Sequence, residues 1–262
     1  MKRWIALILV MLLTICMTAC VSFEKTETIY VNTKSVRTLA GQVIRTEYTY
    51  SPKGTPVTVK TYFNDRLYQT ASARTSGGVQ YMTIIDNSGN ETTQSTNTVY
   101  DENGNVATVE ITVGSNLVSR TRYTYDDQNR LTAANTVTTL GNTDIQYVYD
   151  AQGNLAEQIK DDASQDTYIR TTYSYNEKGL VIFEKSFNRE GEPVRSISYA
   201  YNETNTVRTA SGYDAEGNPT GEVVIATFDE HGNMVREESV ANGEVVQTIV
   251  NTYEAMEIPV EE

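Results

Sequence analysis

The sequence predicts an all-β protein: an antiparallel β-meander of about 17 to 18 strands, built from hairpin repeats of about 25 residues. Three observations support this prediction. One turn motif returns ten times, segments rich in Thr, Val, Tyr and Ile separate the turns, and tyrosine pairs precede alternate turns. Segments of this composition between turn residues are typical of strands. Because sheets twist, we expect so long a meander to form a curled or rolled sheet.

The turn motif places Asp, Asn or Ser first and Gly or Asn three positions later. In a type I turn the first side chain accepts a hydrogen bond from the backbone two residues on, and the residue that closes a three-residue hairpin loop is left-handed. Gly adopts that conformation without a Cβ penalty, and Asn is the next best tolerated residue. The predicted left-handed turn residues are Gly54, Gly89, Gly104, Asn129, Gly153, Gly179, Gly191, Asn205, Gly217 and Gly232.

Tyrosine pairs precede only alternate turns, which recur every 24 to 27 residues, so one repeat is one hairpin. The pairs are Tyr48 and Tyr50, Tyr123 and Tyr125, Tyr147 and Tyr149, Tyr173 and Tyr175, and Tyr199 and Tyr201. Both members of a pair point to one face, because side chains alternate along a strand, whereas polar residues such as Arg45, Glu47 and Arg120 occupy the other face. We expect the tyrosine face to lie inside the curled sheet, as core; the alternative is a groove for a sugar polymer or a peptide.

The N-terminal residues have the pattern of a signal peptide. Lys2 and Arg3 precede an apolar run that is too short to span a bilayer and ends in small residues before Cys20. The sequence Met-Thr-Ala-Cys at positions 17–20 resembles a bacterial lipobox, which implies that Cys20 is lipidated and becomes the new N-terminus. Acyl chains bind membranes with about 0.8 kcal/mol per buried methylene, so we predict a membrane anchor at Cys20.

The predicted organisation has four parts. They are a signal peptide at 1–19, a lipidated N-terminus and lead-in at 20–37, the hairpin-repeat domain at 38–254 and an acidic C-terminal tail at 255–262.

The repeats resemble the YD-repeat family, also called Rhs repeats. Its signature is a tyrosine, an Asp or Asn, two variable residues, a Gly and a later aliphatic residue. The segments YDENGNV (100–106), YDDQNRL (125–131), YDAQGNL (149–155) and FDEHGNM (228–234) match it closely, and the likeness extends over 48–234. The resemblance implies a long β-sheet that spirals around an interior. In large members that shell surrounds a toxin domain, for which this sequence shows no counterpart.

Charge and composition exclude several functions. The net charge of −13 repels phosphate backbones, so we expect no nucleic-acid partner. Cys16 leaves with the signal peptide and Cys20 is lipidated, so we predict no disulfide, no thiolate metal site and no cofactor. His231 is the only histidine and lies at a variable turn position, where a solvated loop residue is expected and not a catalytic base. No catalytic residue is assigned.

The predicted function is that of a lipid-anchored extracytoplasmic binding or scaffold protein of the bacterial cell envelope. Its expected partners are the membrane, through Cys20, and an envelope polysaccharide or protein. Two alternatives stay open. One is an immunity-type lipoprotein that neutralises a secreted toxin, motivated by the resembling family. The other is a glycan-active enzyme, because 34 acidic residues offer many carboxylate pairs. The sequence indicates no oligomeric state.

Overall fold

A computed structural model describes residues 28–258, and Cys20 and the other predictions on 1–27 and 259–262 lie outside this range. The described residues form one antiparallel sheet of eighteen strands, which confirms the predicted meander. No helix within this range is long and apolar enough to cross a membrane. The strands are β1 (Thr28–Leu39), β2 (Gln42–Tyr50), β3 (Pro56–Phe63), β4 (Arg66–Ser76), β5 (Val79–Asp86), β6 (Glu91–Tyr100), β7 (Val106–Val113), β8 (Asn116–Tyr125), β9 (Leu131–Thr138), β10 (Gly141–Tyr149), β11 (Leu155–Asp162), β12 (Thr167–Tyr175), β13 (Val181–Phe187), β14 (Pro193–Tyr201), β15 (Val207–Tyr213), β16 (Pro219–Phe228), β17 (Met234–Ala241) and β18 (Glu244–Glu257).

The sheet closes completely into a β-barrel. β1 pairs with β2, where Arg37 lies opposite Ile44, and also with β18, where Arg37 lies opposite Ile249. Closure removes both free edges, which an open sheet would have to protect. Closure also extends the sheet beyond the predicted boundaries of the repeat domain. β1 begins at Thr28, before the predicted boundary at residue 38, and β18 continues to Glu257, because these two strands form the seam.

The hairpin turns have the geometry of three-residue loops. The ten predicted left-handed residues have φ values between 58° and 88°. Each of them donates its backbone N–H to the carbonyl of the turn's first residue, at 2.9–3.2 Å. The side chain of Asp86 accepts further hydrogen bonds from Asn90 and Ser88, and the bonds from Asn90 hold the pKa of that carboxyl below its usual range.

The two faces of the sheet differ in exposure. We call the side that carries Tyr123, Tyr147, Tyr173 and Tyr199 the tyrosine face. Each of these residues is partly buried, whereas the neighbour that points to the other face, such as Val148, is exposed. Eight of the nine buried residues in 28–258 lie on the tyrosine face, and Ser196 is the exception. The tyrosine-face residues are Thr61, Gln69, Ala71, Met82, Ala134, Asp162, Ser186 and Ala226. Side chains converge on the concave side of a closed sheet, so we infer that the tyrosine face lines the interior.

Because the barrel has eighteen strands, we expect an interior too wide for side chains to fill. Barrels of 16 to 18 strands leave an aqueous channel, whereas barrels of about eight strands are filled. In agreement with this rule, no large side chain of the described residues is fully buried, and the buried positions belong mainly to small or polar residues. The four tyrosines are partly buried and none is fully buried, so core packing and a ligand groove both stay open at this point.

Candidate functional site

The first tyrosines of four consecutive pairs form a row across the interior wall, which we call the tyrosine ladder. Tyr123, Tyr147, Tyr173 and Tyr199 lie on β8, β10, β12 and β14. Since neighbouring strands are about 4.8 Å apart, successive members of the ladder are about 10 Å apart across the strands, with an offset of two residues along them. The hairpin repeat sets this spacing, because each repeat contributes one tyrosine at a fixed distance from its turn.

The second tyrosine of each pair has a structural role. The hydroxyls of Tyr125, Tyr149, Tyr175 and Tyr201 donate to backbone carbonyls of the preceding hairpin at 2.8–2.9 Å. The acceptors are the carbonyls of Val106, Leu131, Leu155 and Val181, and Tyr50 makes the same kind of bond to Asn32 at 2.7 Å. These bonds join one repeat to the next near one rim of the barrel.

The tyrosines of the ladder have polar side chains as neighbours instead of backbone carbonyls. Burial raises the pKa of Tyr123, Tyr147 and Tyr173 above the usual value. Burial, together with the negative charge of Glu184 and a hydrogen bond to it, raises the pKa of Tyr199 to about 12. All four phenols are therefore neutral at physiological pH and can both donate and accept hydrogen bonds.

Polar residues lie between the rings on the intervening strands. Gln158 of β11 lies directly opposite Tyr147. Glu184 of β13 lies opposite Tyr173, and on its other side it lies opposite Ile197, two residues before Tyr199. These partners place an amide and a carboxylate in the gaps of the ladder. Neither Gln158 nor Glu184 was singled out by the sequence, because a bulge beside each turn shifts the register by one residue.

A guanidinium group completes one end of the ladder. The Arg208 guanidinium carbon lies 5.6 Å from the centre of the Tyr199 ring and 5.8 Å from that of Phe228, within the range of cation–π attraction. Arg208 shares the tyrosine face, because its register partner is Tyr201 of β14. Glu184 and Arg208 therefore present an acceptor and a donor on either side of Tyr199. Such an arrangement can bind a polar ligand by hydrogen bonds while the rings contact its apolar parts.

The outer face of the barrel carries paired charges. Arg120 contacts Glu110 at 2.6 Å, Arg170 contacts Glu157 at 2.8 Å, and Arg45 is bonded to Glu47. The pattern agrees with the polar face predicted from the alternation. Exposed apolar side chains lie on the same outer face, among them Val99, Val137 and Val148, so charged pairs and apolar residues are mixed there.

Other predicted positions do not join the ladder. His231 lies in the turn between β16 and β17, as expected, but its ring stacks on Tyr30 with 3.8 Å between ring centres, so it is not simply solvated. This contact exists because β1 and β18 continue as a two-stranded ribbon beyond their neighbours at that rim. Among residues 28–258, no group of three or more His, Cys, Asp or Glu side chains could hold a metal ion.

Comparisons with known proteins give similarity in overall shape only. No protein-family model and no curated protein matches the sequence, so the resemblance to YD repeats stays a prediction. A porin-like protein from Bacteroides uniformis is 12% identical, with a TM-score of 0.44, over 85% of this chain and 98% of that one. One from Bacteroides vulgatus is 14% identical, with a TM-score of 0.46 and the same coverage. A Tc holotoxin pore from Photorhabdus luminescens is 12% identical over 82% of this chain and 15% of that one, with a TM-score of 0.25.

Proposed function

We propose that this protein is a lipid-anchored, extracytoplasmic binding protein of the bacterial cell envelope, which holds a ligand inside a water-filled barrel. The observation that carries the proposal is the tyrosine ladder with Gln158 and Glu184 in its gaps, on the wall of an interior too wide to be filled. Aromatic rings with a few polar groups between them are typical of binding sites. The proposal includes no catalytic step.

The charged pairs on the outer wall support a position in water and not in lipid. An arginine or lysine that faces lipid at the bilayer midplane costs roughly 2–4 kcal/mol in a barrel. Arg120, Arg170 and Arg45 with their carboxylate partners would all meet this cost. We therefore propose that the barrel stands outside the bilayer, and that the membrane is reached through Cys20.

The entry point of the chain supports the same arrangement. β1 begins at Thr28, at the rim that carries the turns after the tyrosine pairs, and Cys20 precedes Thr28 by eight residues. Eight residues reach at most about 30 Å. A lipid at Cys20 would keep this rim near the membrane surface and direct the opposite rim away from it.

The anchor is tested by Cys20→Ser. We expect this change to abolish metabolic fatty-acid labelling and to hinder release of the signal peptide, because the lipid acceptor is gone. A Cys20→Ser protein that still takes up label and stays in the detergent phase would show that the anchor is elsewhere.

The binding role is tested by affinity capture from the native envelope with wild-type protein and Tyr147→Ala. We expect the wild type to retain envelope material that Tyr147→Ala retains poorly, with Val148→Ala on the outer face as the matched control. Equal retention by all three proteins, or retention by none, would refute a ligand site on the ladder.

A further inference from the structure

We infer that the tyrosine ladder binds a linear, uncharged saccharide chain that lies across strands β8–β14. This inference deepens the proposed function by naming the ligand class, and it rests on that function. It starts from the order of side chains along the wall. Each tyrosine has a register partner on the next strand. The partner of Tyr123 is Ala134 and that of Tyr147 is Gln158. The partner of Tyr173 is Glu184 and that of Tyr199 is Ala210.

The alternation of rings with short or polar residues leaves each ring accessible from the interior. Ala134 and Ala210 are too short to cover the neighbouring rings, and Gln158 and Glu184 place hydrogen-bonding groups at the level of the wall. A pyranose has a flat C–H face and an edge of hydroxyls. A sugar unit that stacks on Tyr173 therefore turns its hydroxyls towards Gln158 on one side and Glu184 on the other.

The charges at the ladder favour an uncharged ligand. Glu184 repels an anion, and the net charge of −13 repels it at longer range. A cation near Tyr199 meets Arg208, which already lies over that ring at 5.6 Å. Hydroxyl groups suit both residues, because one hydroxyl can donate to the Glu184 carboxylate while another accepts from the Arg208 guanidinium.

The spacing of the rings favours a chain over a single sugar. Four rings about 10 Å apart extend over roughly 30 Å of wall, which one sugar unit cannot cover. A peptide is less well matched: large side chains need deep apolar pockets, and the described wall offers shallow, partly exposed rings.

The test is isothermal titration calorimetry of purified protein against cellohexaose, chitohexaose and maltohexaose, with spermidine and hexagalacturonic acid as charged probes. We expect at least one neutral hexasaccharide to bind and both charged probes to bind more weakly. Tyr173→Ala and Glu184→Ala should each weaken binding by about tenfold or more, because each removes a direct contact. Tyr168→Ala, on the same strand but facing outwards, is the matched control and should bind like the wild type.

Melting curves accompany each variant. If Tyr173→Ala does not fold, Glu184→Ala decides the outcome, because Glu184 is only partly buried and its loss opens no large cavity. Binding of no neutral hexasaccharide, or binding unchanged in the folded variants, would overturn the inference. Envelope capture that depends on Tyr147 but is competed by a peptide, or by no hexasaccharide, would overturn the sugar ligand alone and leave the binding function standing.

Discussion

At the residue scale, the left-handed turn positions show how much one side chain can decide. Gly153 has φ of +88°, and a Cβ there would approach only the Arg130 side chain, at 3.9 Å, so the cost of substitution is backbone strain and not a clash. Gly54 differs, because a Cβ there would lie 2.5 Å from Ile29 Cδ1 in the ribbon that extends past the rim. Glycine at this turn position is thus required for the backbone conformation in the Gly153 hairpin, and for close packing in the Gly54 hairpin.

Replacement of Gly153 should reveal the strain by itself. We expect Gly153→Val to lower the free energy of unfolding by about 1–3 kcal/mol more than Gln152→Val, because only Gly153 forces a β-branched residue into the left-handed region. Chemical denaturation of both variants measures the difference. Gly153→Asn is the control and should be much milder, since Asn129 and Asn205 adopt φ of 59° and 58° in equivalent turns. Equal losses for the two valine variants would contradict the turn geometry.

At the element scale, the tyrosine pair divides two tasks between neighbouring positions. The second tyrosine ties its hairpin to the preceding one through a backbone carbonyl, as Tyr149 does to Leu131 at 2.8 Å. It lies at a register shift, because β11 carries one extra residue, Ala156, opposite the step from Val148 to Tyr149. The first tyrosine stands clear of the bulge and faces the interior. The repeated motif therefore supplies one tyrosine that links two hairpins and one tyrosine whose ring lies on the interior wall.

Removal of one tyrosine hydroxyl at a time should distinguish the structural role of the second tyrosine from the role of the first. We expect Tyr149→Phe to destabilise the barrel by about 1–3 kcal/mol, because the Leu131 carbonyl loses its hydroxyl donor, and Tyr147→Phe to cost less, because its polar neighbour is a side chain that can turn to water. Thermal melts compare the two variants. A larger loss for Tyr147→Phe would mean that the ladder hydroxyls, and not the joints, hold the repeats together.

The sequence alone predicted the features that lie within one hairpin. It did not predict the features that depend on pairing between strands far apart in the chain. The turn residues and the alternation around Tyr147 and Val148 lie within one repeat. The sequence therefore sufficed to predict the turn geometry and the face to which each side chain points. The pairing of Leu39 with Gln247 joins segments at opposite ends of the chain, and β1 carries neither a tyrosine pair nor the Asp-to-Gly turn. Complete closure therefore could not be predicted. Glu184 and Arg208 were missed because their neighbours depend on register, which the bulges shift.

At the scale of the whole molecule, the pairing of β1 with β18 at the seam closes the repeat array into a barrel. An open repeat array would grow at either end and expose an edge there, whereas closure fixes the number of repeats and the width of the interior. In the proposed function, that width gives a ligand access to the tyrosine ladder. The binding role proposed for the interior thus depends on the pairing of two terminal strands.

An engineered disulfide across the seam should test closure directly. Arg37→Cys with Ile249→Cys places two cysteines at directly opposed positions on the interior face, and a background with Cys16→Ser and Cys20→Ser removes both native cysteines. We expect the pair to oxidise, to migrate faster on non-reducing gels, and to raise the melting temperature, because the cross-link constrains almost the whole unfolded chain. The control pair Arg37→Cys with Ile145→Cys joins β1 to a strand it does not contact, so it should stay reduced. An open sheet predicts the reverse for the first pair: no cross-link within a monomer, and disulfide-linked oligomers in which β18 of one chain meets β1 of another.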